Sequence, residues 1–226
     1  MKQYFSWVIL AGIMVMASTA YSATLDDVAK AMDEGWAKHN TMKADLTVEA
    51  NFPMGAQSVS VSGTGDVAYK RADGKEKYRQ AMTVAMPEPL KMEMKFESIF
   101  DGETIHVMTD MMGMKTVKQE KPSLENGALP PGGKMLVENL QKEMTVTVKA
   151  DGEVDGKKVY VLDAKPKKKN QDVPMDGMVL YIDQAEGMLL KIEVTQPGGT
   201  NLAVVNIKNV QYDVELADSL FAAPTK

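Results

Sequence analysis

The chain has no cysteine and only two histidines, His39 and His106. The absence of cysteine excludes disulfide bonds and thiolate metal ligands. The sequence also has no nucleophile-elbow pattern, no phosphate-binding glycine loop and no dinucleotide fingerprint. A lone histidine near a helix end or on a strand is usually structural or solvated, and paired carboxylates carry no signal among 31 acidic residues. We therefore expect a protein that is not an enzyme and that holds no cofactor and no metal.

The chain also lacks an excess of basic charge. It has 26 Lys and Arg residues against 31 Asp and Glu, and aromatic residues make up only 6% of the sequence. A nucleic-acid-binding surface needs basic residues that face phosphates, often interleaved with aromatics, and no such stripe is present. We therefore expect no nucleic-acid partner. The one basic run, at 165–169, is interpreted as a solvated loop.

No apolar run reaches the length of about 20 residues that a membrane span needs. The run at 7–17 follows Lys2 and precedes the small residues of Ala20-Tyr21-Ser22. A positive end, a short apolar core and small residues at a cleavage site are typical of an export signal. The sequence predicts a signal peptide at 1–22, cleaved near Ser22, and one mature domain at 23–226. We expect the mature protein in the periplasm.

Helical periodicity is found in two short segments. Thr24 can cap a helix whose first turn carries Asp26 and Asp27 near the positive end of the helix dipole. We expect this helix to end near His39-Asn40. A second, short amphipathic helix is expected after the loop at 127–133. The apolar stripes of the two helices contain Leu25, Val28, Ala29, Met32 and Trp36 in the first, and Met135, Leu136 and Leu140 in the second.

Elsewhere the apolar residues alternate with period two, which is typical of strands with one apolar face. The clearest run is 90–96, where Lys91, Glu93 and Lys95 take the opposite phase. Asp73-Gly74 and Asp101-Gly102 are typical of hairpin turns that need positive φ. About ten or eleven strands, two helical pieces and no βαβ alternation predict a mainly β fold. We expect a curled, unclosed antiparallel β-barrel whose concave apolar face is covered by helices.

Methionine is unusually frequent, with 19 residues against five phenylalanines. Thioethers are soft ligands that suit Cu(I), and His106 lies near the cluster at 108–114. On a continuous strand Met108, Met112 and Met114 would share one phase and Met111 would take the other, so we expect no tight Cu(I) site. The alternative is an adaptable apolar cavity, because flexible thioether side chains repack around ligands of variable shape.

Several of these features together resemble the LolA-like family of periplasmic lipoprotein carriers. The similar segments are the strand starting at Lys43, the glycine, aromatic and Lys-Arg strand end at 65–71, the Asp101-Gly102 hairpin, and the closing segment 218–224 with Phe221 before a proline. The chain departs from the family pattern at Ala72, where a proline usually follows the Lys-Arg pair.

The resemblance implies an unclosed barrel whose hydrophobic cavity binds the acyl chains of lipoproteins, or a related lipid, and hands them on at the outer membrane. It also implies partners, namely an inner-membrane releasing complex and an outer-membrane receptor. Arg71 matches the family arginine that helps hold the helical lid and tunes lipid release. The residues expected to line the cavity are Leu90, Met92, Met94, Phe96, Met82, Val84, Trp36, Met135 and Leu136.

Two other functions remain open at this point. The same curled sheet could serve as an envelope sensor or structural module that carries no lipid. A Met-rich copper-binding protein is the third interpretation.

Overall fold

The computed structural model describes residues 23–54, 57–88, 91–120, 132–168 and 175–223. The predicted signal peptide and Leu90 lie outside these residues. Within them, twelve strands form one antiparallel sheet that does not close, accompanied by two α-helices. This confirms the predicted fold class, although the strand count exceeds the predicted ten or eleven. None of the described helices combines the length and apolarity needed to cross a membrane.

The helices are α1 (Leu25–Lys38) and α2 (Gly133–Glu143), and a short 3₁₀ helix covers Asp218–Phe221. The sheet has the order β6-β5-β4-β3-β2-β1-β12-β11-β10-β9-β7, and β8 also pairs with β9. The strands are β1 (Thr41–Met54), β2 (Gln57–Ala72), β3 (Lys75–Met86), β4 (Met92–Phe100), β5 (Ile105–Met111), β6 (Met114–Glu120), β7 (Met144–Val148), β8 (Gly152–Val154), β9 (Lys157–Pro166), β10 (Gly177–Asp183), β11 (Leu189–Thr195) and β12 (Asn201–Tyr212).

Helix α1 begins and ends where the sequence predicts. The Thr24 hydroxyl accepts a hydrogen bond from the Asp27 amide, and the Asp27 carboxylate accepts one from the Thr24 amide. This reciprocal capping box satisfies two amides that have no partner inside the helix. The backbone becomes extended at His39, which ends the helix. The buried side of α1 consists of Val28, Ala29, Met32 and Gly35.

Helix α2 is capped by a residue of α1. Its own N-cap, Gly132, has φ of 107° and offers no side chain. Instead, the Asp33 carboxylate accepts a hydrogen bond of 2.6 Å from the Gly133 amide. A carboxylate at a helix N-terminus satisfies a free amide and interacts favourably with the helix dipole. The two helices are therefore coupled by a contact between residues 100 positions apart in the chain.

Two-residue turns connect β2 to β3 and β5 to β6. Asp73 and Gly74 have φ of 53° and 73°, which confirms the predicted hairpin turn. Gly102 also has positive φ, but the β4–β5 connection is a longer loop of residues 101–104. A turn that the sequence did not predict lies at Met112-Gly113, with φ of 56° and 83°. It divides the methionine cluster between β5 and β6, so the expectation of one continuous strand there is wrong.

The strand register places one apolar set on the same side of the sheet. Tyr69 lies opposite Met42 on β1 and Tyr78 on β3, and Leu46 lies opposite Ile207 on β12. Since directly opposite residues project to the same side, these residues define one surface. We call it the inner face, because it packs beneath the two helices. The main core lies between the inner face and the helices.

The C-terminal segment packs on the opposite, outer face. Phe221 is almost completely buried and forms a small second core with Ala68 and Leu216. Lys70 on β2 donates to the Leu216 carbonyl and pairs with Asp218, at 3.0 Å in each case. An apolar contact and an ion pair thus anchor the C-terminal segment to the outer face.

Three glycines allow α1 to approach its neighbours at backbone distance. A Cβ atom at Gly35 would overlap the Glu186 carbonyl in the β10–β11 turn, and one at Gly133 would overlap the Ala29 carbonyl. Gly187 adopts a φ of 64°, and a Cβ there would collide with the backbone at Ala31. The position of α1 on the sheet is therefore set by backbone contacts that only glycine permits.

We expect Gly35→Ala to destabilise the protein by about 1–3 kcal/mol, because the methyl group must push α1 away from the β10–β11 turn. Urea denaturation measures this. Intrinsic helix propensity alone predicts the opposite sign, a gain of about 1 kcal/mol. Ala37→Gly, on the exposed side of α1, is the control that measures the effect of helix propensity alone. A stabilised Gly35→Ala variant would show that α1 is not held at this contact.

Candidate functional site

An apolar cavity lies between the two helices and the inner face. Its floor is formed by β1, β2, β3, β11 and β12, and its cover by one side of α1 and α2. The lining side chains are almost entirely apolar or aromatic. They include Met32, Trp36, Met42, Val67, Tyr69, Tyr78, Gln80, Leu136, Met188, Leu189 and Ile207.

The cavity is small, with a volume of about 90 Å³. Ligand pockets usually have volumes of about 300–1,000 Å³. A bulky apolar ligand can therefore enter only if the helices move away from the sheet.

Arg71 ties the C-terminal end of α1 to the sheet beside this cavity. Its guanidinium donates to the Trp36 carbonyl at 3.3 Å and to the Glu76 carboxylate at 2.8 Å. The Glu76 carboxylate also accepts a 2.8 Å hydrogen bond from the Tyr69 hydroxyl. The bond to Glu76 is the main cause that raises the pKa of Arg71, and burial is the main cause that raises the pKa of Tyr69. Arg71 thus contacts the C-terminal end of the covering helix α1, while its predicted role in lipid release stays a prediction.

Trp36 closes the same end of the cavity. Its ring meets the Tyr69 ring edge-on, with the centroids 4.7 Å apart. Such aromatic pairs add about 0.5–1.5 kcal/mol beyond the area that they bury. One aromatic contact and one charge-assisted hydrogen bond therefore hold the end of α1 at Trp36, and Lys38 adds a hydrogen bond to the Ala185 carbonyl in the β10–β11 turn.

The structure brings together some of the predicted cavity residues. Trp36 and Leu136 line the cavity, and Met82 packs against the same core. Leu90 lies outside the described residues. Met135 does not join this group, because half of its side chain is exposed while the buried side of α2 carries Leu136, Val137 and Leu140. The period of the helix, rather than apolarity alone, decides which methionines face the sheet.

The remaining predicted residues extend the inner face beyond the cavity. Val84 lies opposite Met94, and Met82 lies opposite Phe96, so they share the side of Tyr78. Val84 is buried, whereas Met92, Met94 and Phe96 are only partly buried. The inner face of β3 and β4 is therefore apolar, but the described residues cover it less completely than they cover the main core.

Three methionines form a row at the edge of this surface. Met94 lies opposite Met111, and Met111 lies opposite Met114 across the Met112-Gly113 turn. Met111, Met112 and Met114 are 37%, 76% and 66% exposed. The phases expected for a continuous strand are wrong, because the turn brings Met111 and Met114 to the same side. Met108, opposite Glu97, lies on the other side, so the four sulfur atoms are still not on one face. Neighbouring thioethers are a ligand set that soft metals accept.

The two histidines lie elsewhere. His39 follows α1, contacts Asp213 at 2.8 Å and Glu186 at 3.1 Å, and stacks on Tyr212. His106 is buried on the outer face and contacts Asp101 at 3.1 Å. Neither residue lines the cavity. Among the described residues, no group of three or more His, Asp or Glu side chains is arranged to hold a metal ion.

Sequence reasoning missed several residues of the site. Tyr69 and Tyr78 were not predicted to line the cavity, and Glu76 was not identified as the partner of Arg71. The phase of the strands was the available signal for the tyrosines, since both continue the faces of Val67 and Met82. Met188 and Leu189 lie more than 100 positions after Tyr78 in the chain. No local sequence pattern indicates that they line the same cavity.

The comparisons with known proteins concern the fold. No protein-family model matches the chain. An uncharacterized protein from Methanocaldococcus jannaschii is 25% identical over 199 residues, which cover 87% of this chain and 50% of that protein. The chain therefore spans about half the length of the curated relative that it matches.

Solved structures match over most of the chain at low identity. MucB, also solved from Pseudomonas aeruginosa with MucA, matches with a TM-score of 0.51 at 14% identity over 88% of this chain and 62% of its own. A LolA superfamily protein from Nitrosomonas europaea has a TM-score of 0.32 at 13% identity, covering 88% of this chain and 98% of that one. A putative outer membrane lipoprotein-sorting domain from Vibrio parahaemolyticus has a TM-score of 0.38 at 16% identity, and the match covers 87% of this chain and 94% of that one. The unclosed sheet with covering helices is thus a fold that the chain shares with MucB, and chains described as LolA superfamily and lipoprotein-sorting proteins are among the similar structures.

We expect stability to depend on pH through His39, whose pKa is raised chiefly by the hydrogen bond to Asp213 and then by Glu186, against the opposing effect of burial. A raised folded-state pKa gives a stabilisation that is complete below about pH 6.5, the ordinary histidine pKa. It is lost as the pH rises through the folded-state pKa. The free energy of unfolding, from urea denaturation at pH 6 and pH 9, should fall with pH by more in the parent than in His39→Asn.

Asp213→Asn is the matched variant, because it removes the main cause of the shift and keeps the histidine. It should also reduce the pH dependence. If the free energy of unfolding changed equally with pH in the parent and in both variants, His39 would not be the source of the pH dependence.

Proposed function

We propose that this protein is a periplasmic carrier that binds the acyl chains of lipoproteins, or of a related lipid, and delivers them toward the outer membrane. The observation that carries the proposal is the inner face. It combines a narrow apolar cavity under α1 and α2 with a partly exposed apolar surface on β3 and β4. Large exposed apolar patches on a monomer usually mark a binding surface.

The chemistry of this surface suits flexible hydrocarbon chains. Met82, Met92 and Met94 provide side chains that adapt to different shapes, and Phe96 adds a rigid apolar wall. Transfer of an acyl chain from water to such a surface gains about 0.8 kcal/mol for each buried CH₂ group. Directional polar contacts are not needed for this gain, so chains of different lengths can be accepted.

Entry of a lipid is coupled to the position of α1. The closed cavity is too narrow for a bulky chain, so the binding-competent form has α1 displaced from Tyr69 and Arg71. A ligand that binds the open form better shifts the population toward it. Delivery then corresponds to closure of α1 as a receptor takes the chain. We infer an inner-membrane releasing complex and an outer-membrane receptor as partners in this cycle.

A second candidate is an envelope module that binds a protein segment on the same surface and transports no lipid. The fold shared with MucB favours it, because MucB has been solved together with MucA. The two functions differ in the ligand. A carrier binds isolated fatty acids in solution, whereas a module of the second kind binds an apolar peptide and leaves a fluorescent fatty acid free.

Substitutions at Met94 distinguish a binding surface from filled core. In filled core, Met94→Ala costs about 2–5 kcal/mol. Since Met94 is only partly buried, we expect a smaller loss of stability and a weaker affinity for lipid. Met94→Asp should fold but lose lipid, because an unpaired carboxylate is strongly disfavoured in an apolar site. Urea denaturation and displacement of a fluorescent fatty acid measure the two effects.

The control for Met94→Asp is Thr83→Asp, which adds the same charge on the outer face opposite Lys95. It should leave lipid affinity unchanged. A stability loss of about 2–5 kcal/mol in Met94→Ala, together with no fatty-acid binding by the parent, would return this surface to ordinary core and contradict the carrier.

Removal of Arg71 tests the coupling to α1. Arg71→Leu deletes the charge-assisted bond to Trp36, worth at most about 1.5–3 kcal/mol and less here because the side chain is partly exposed. The open form should become more populated, so hydrogen exchange near the end of α1 should accelerate and fatty acid should bind more tightly. Lys75→Leu, which breaks the exposed pair with Glu103, is the control. Unchanged exchange and affinity in Arg71→Leu would show that this contact does not hold the cover.

A further inference from the structure

Two buried hydroxyl groups on the inner face have no hydrogen-bond partner among the described residues. They belong to Tyr78 on β3 and Ser98 on β4, and solvent does not reach either oxygen. The Tyr78 ring is opposite Phe100, and Ser98 is opposite Gln80, so the two hydroxyl-bearing residues are diagonal neighbours on one side of the sheet. Buried polar groups are nearly always paired, so each of these two needs an explanation.

The environment keeps the Tyr78 hydroxyl protonated and therefore able to donate. Burial raises the pKa of Tyr78 to about 12, and the neighbouring Ser98 hydroxyl opposes this shift only in part. The two hydroxyls are close but do not reach hydrogen-bonding geometry with each other. Tyr78 and Gln80 line the cavity, whereas Ser98 lies next to it on β4. Because neither hydroxyl oxygen is accessible in the closed form, a ligand reaches them only when α1 is displaced from the sheet.

An apolar surface leads away from this polar point along β3 and β4. The next residues on the same side are Met82 opposite Phe96, then Val84 opposite Met94, then Met86 opposite Met92. From Tyr78 to Met86 the strand advances roughly 27 Å, at about 3.4 Å per residue. The inner face thus presents hydrogen-bond donors at one end and a continuous apolar path from there.

From this arrangement we infer that the Tyr78 and Ser98 hydroxyls bind the carbonyl oxygen of an ester- or amide-linked acyl chain, whose hydrocarbon lies along β3 and β4. The inference rests on the proposed carrier function and adds to it a polar subsite for the carbonyl group. The site selects acylated molecules over hydrocarbon chains that have no carbonyl group. A site that provides hydrogen bonds discriminates against a ligand that lacks the partner, because its buried polar groups then stay unpaired.

A pair of ligands that differ only in the carbonyl tests the inference. 1-Palmitoylglycerol has an ester carbonyl, and 1-O-hexadecylglycerol has the same chain and headgroup without it. Their affinities for the mature protein are measured by displacement of a fluorescent fatty acid, in the parent, in Tyr78→Phe and in Ser98→Ala. Tyr78→Phe keeps the ring that packs on Phe100, and thermal unfolding checks that each variant is folded.

The control is Tyr212→Phe. The Tyr212 hydroxyl is also buried without a partner among the described residues, but its ring stacks on His39 outside the cavity lining. We expect the parent to bind the ester more tightly than the ether. Tyr78→Phe and Ser98→Ala should each weaken the affinity for the ester by roughly fivefold to tenfold and leave the affinity for the ether unchanged. Tyr212→Phe should keep the parent preference.

Two results would overturn the inference in distinguishable ways. If both glycerol lipids bind and the two variants change their affinities equally or not at all, the carrier function stands and the carbonyl site is wrong. If neither lipid displaces the probe from the parent, both the carrier function and the carbonyl site are wrong.

Discussion

The fold depends on how an open sheet with an apolar inner face is covered. A closed barrel would pair its edge strands and fill its interior, but here the described sheet ends at β6 and β7 and leaves its inner face to the helices. Helix α1 provides most of this cover. It approaches the β10–β11 turn through Gly35 and Gly187, and it caps α2 through Asp33. Small residues and one long-range cap thus fix both helices as a unit.

This arrangement divides the inner face into two parts with different properties. Beneath the helices, residues such as Leu162, Leu180 and Ile182 are completely buried and form ordinary core. On β3 and β4, Met94 and Phe96 remain partly exposed, and the row continues to Met114 at the sheet edge. The first part supplies stability, and the second leaves apolar area for a ligand. The contacts of Arg71 and Trp36 hold the end of α1 between the two parts, and in the proposed cycle displacement of α1 joins them.

Local patterns in the sequence predicted much of the fold. The Thr24 capping box, the period-two strands and the Asp73-Gly74 turn each depend on neighbouring residues, and each is found. The Met112-Gly113 turn was missed because methionine rarely occupies positive φ, so the apolar pattern suggested a continuous strand. The Asp33 cap, the Arg71–Glu76 pair and the cavity wall at Met188 depend on tertiary approach, which strand phase cannot give. Apolar phase also did not separate Met135 from the buried side of α2.

Native mass spectrometry of the protein isolated from bacterial envelopes tests most directly whether the inner face holds acyl chains. We expect discrete additional masses that match acylated molecules and that disappear after extraction with organic solvent. A spectrum that contains only the mass of the polypeptide, from a preparation never exposed to detergent or solvent, would contradict it.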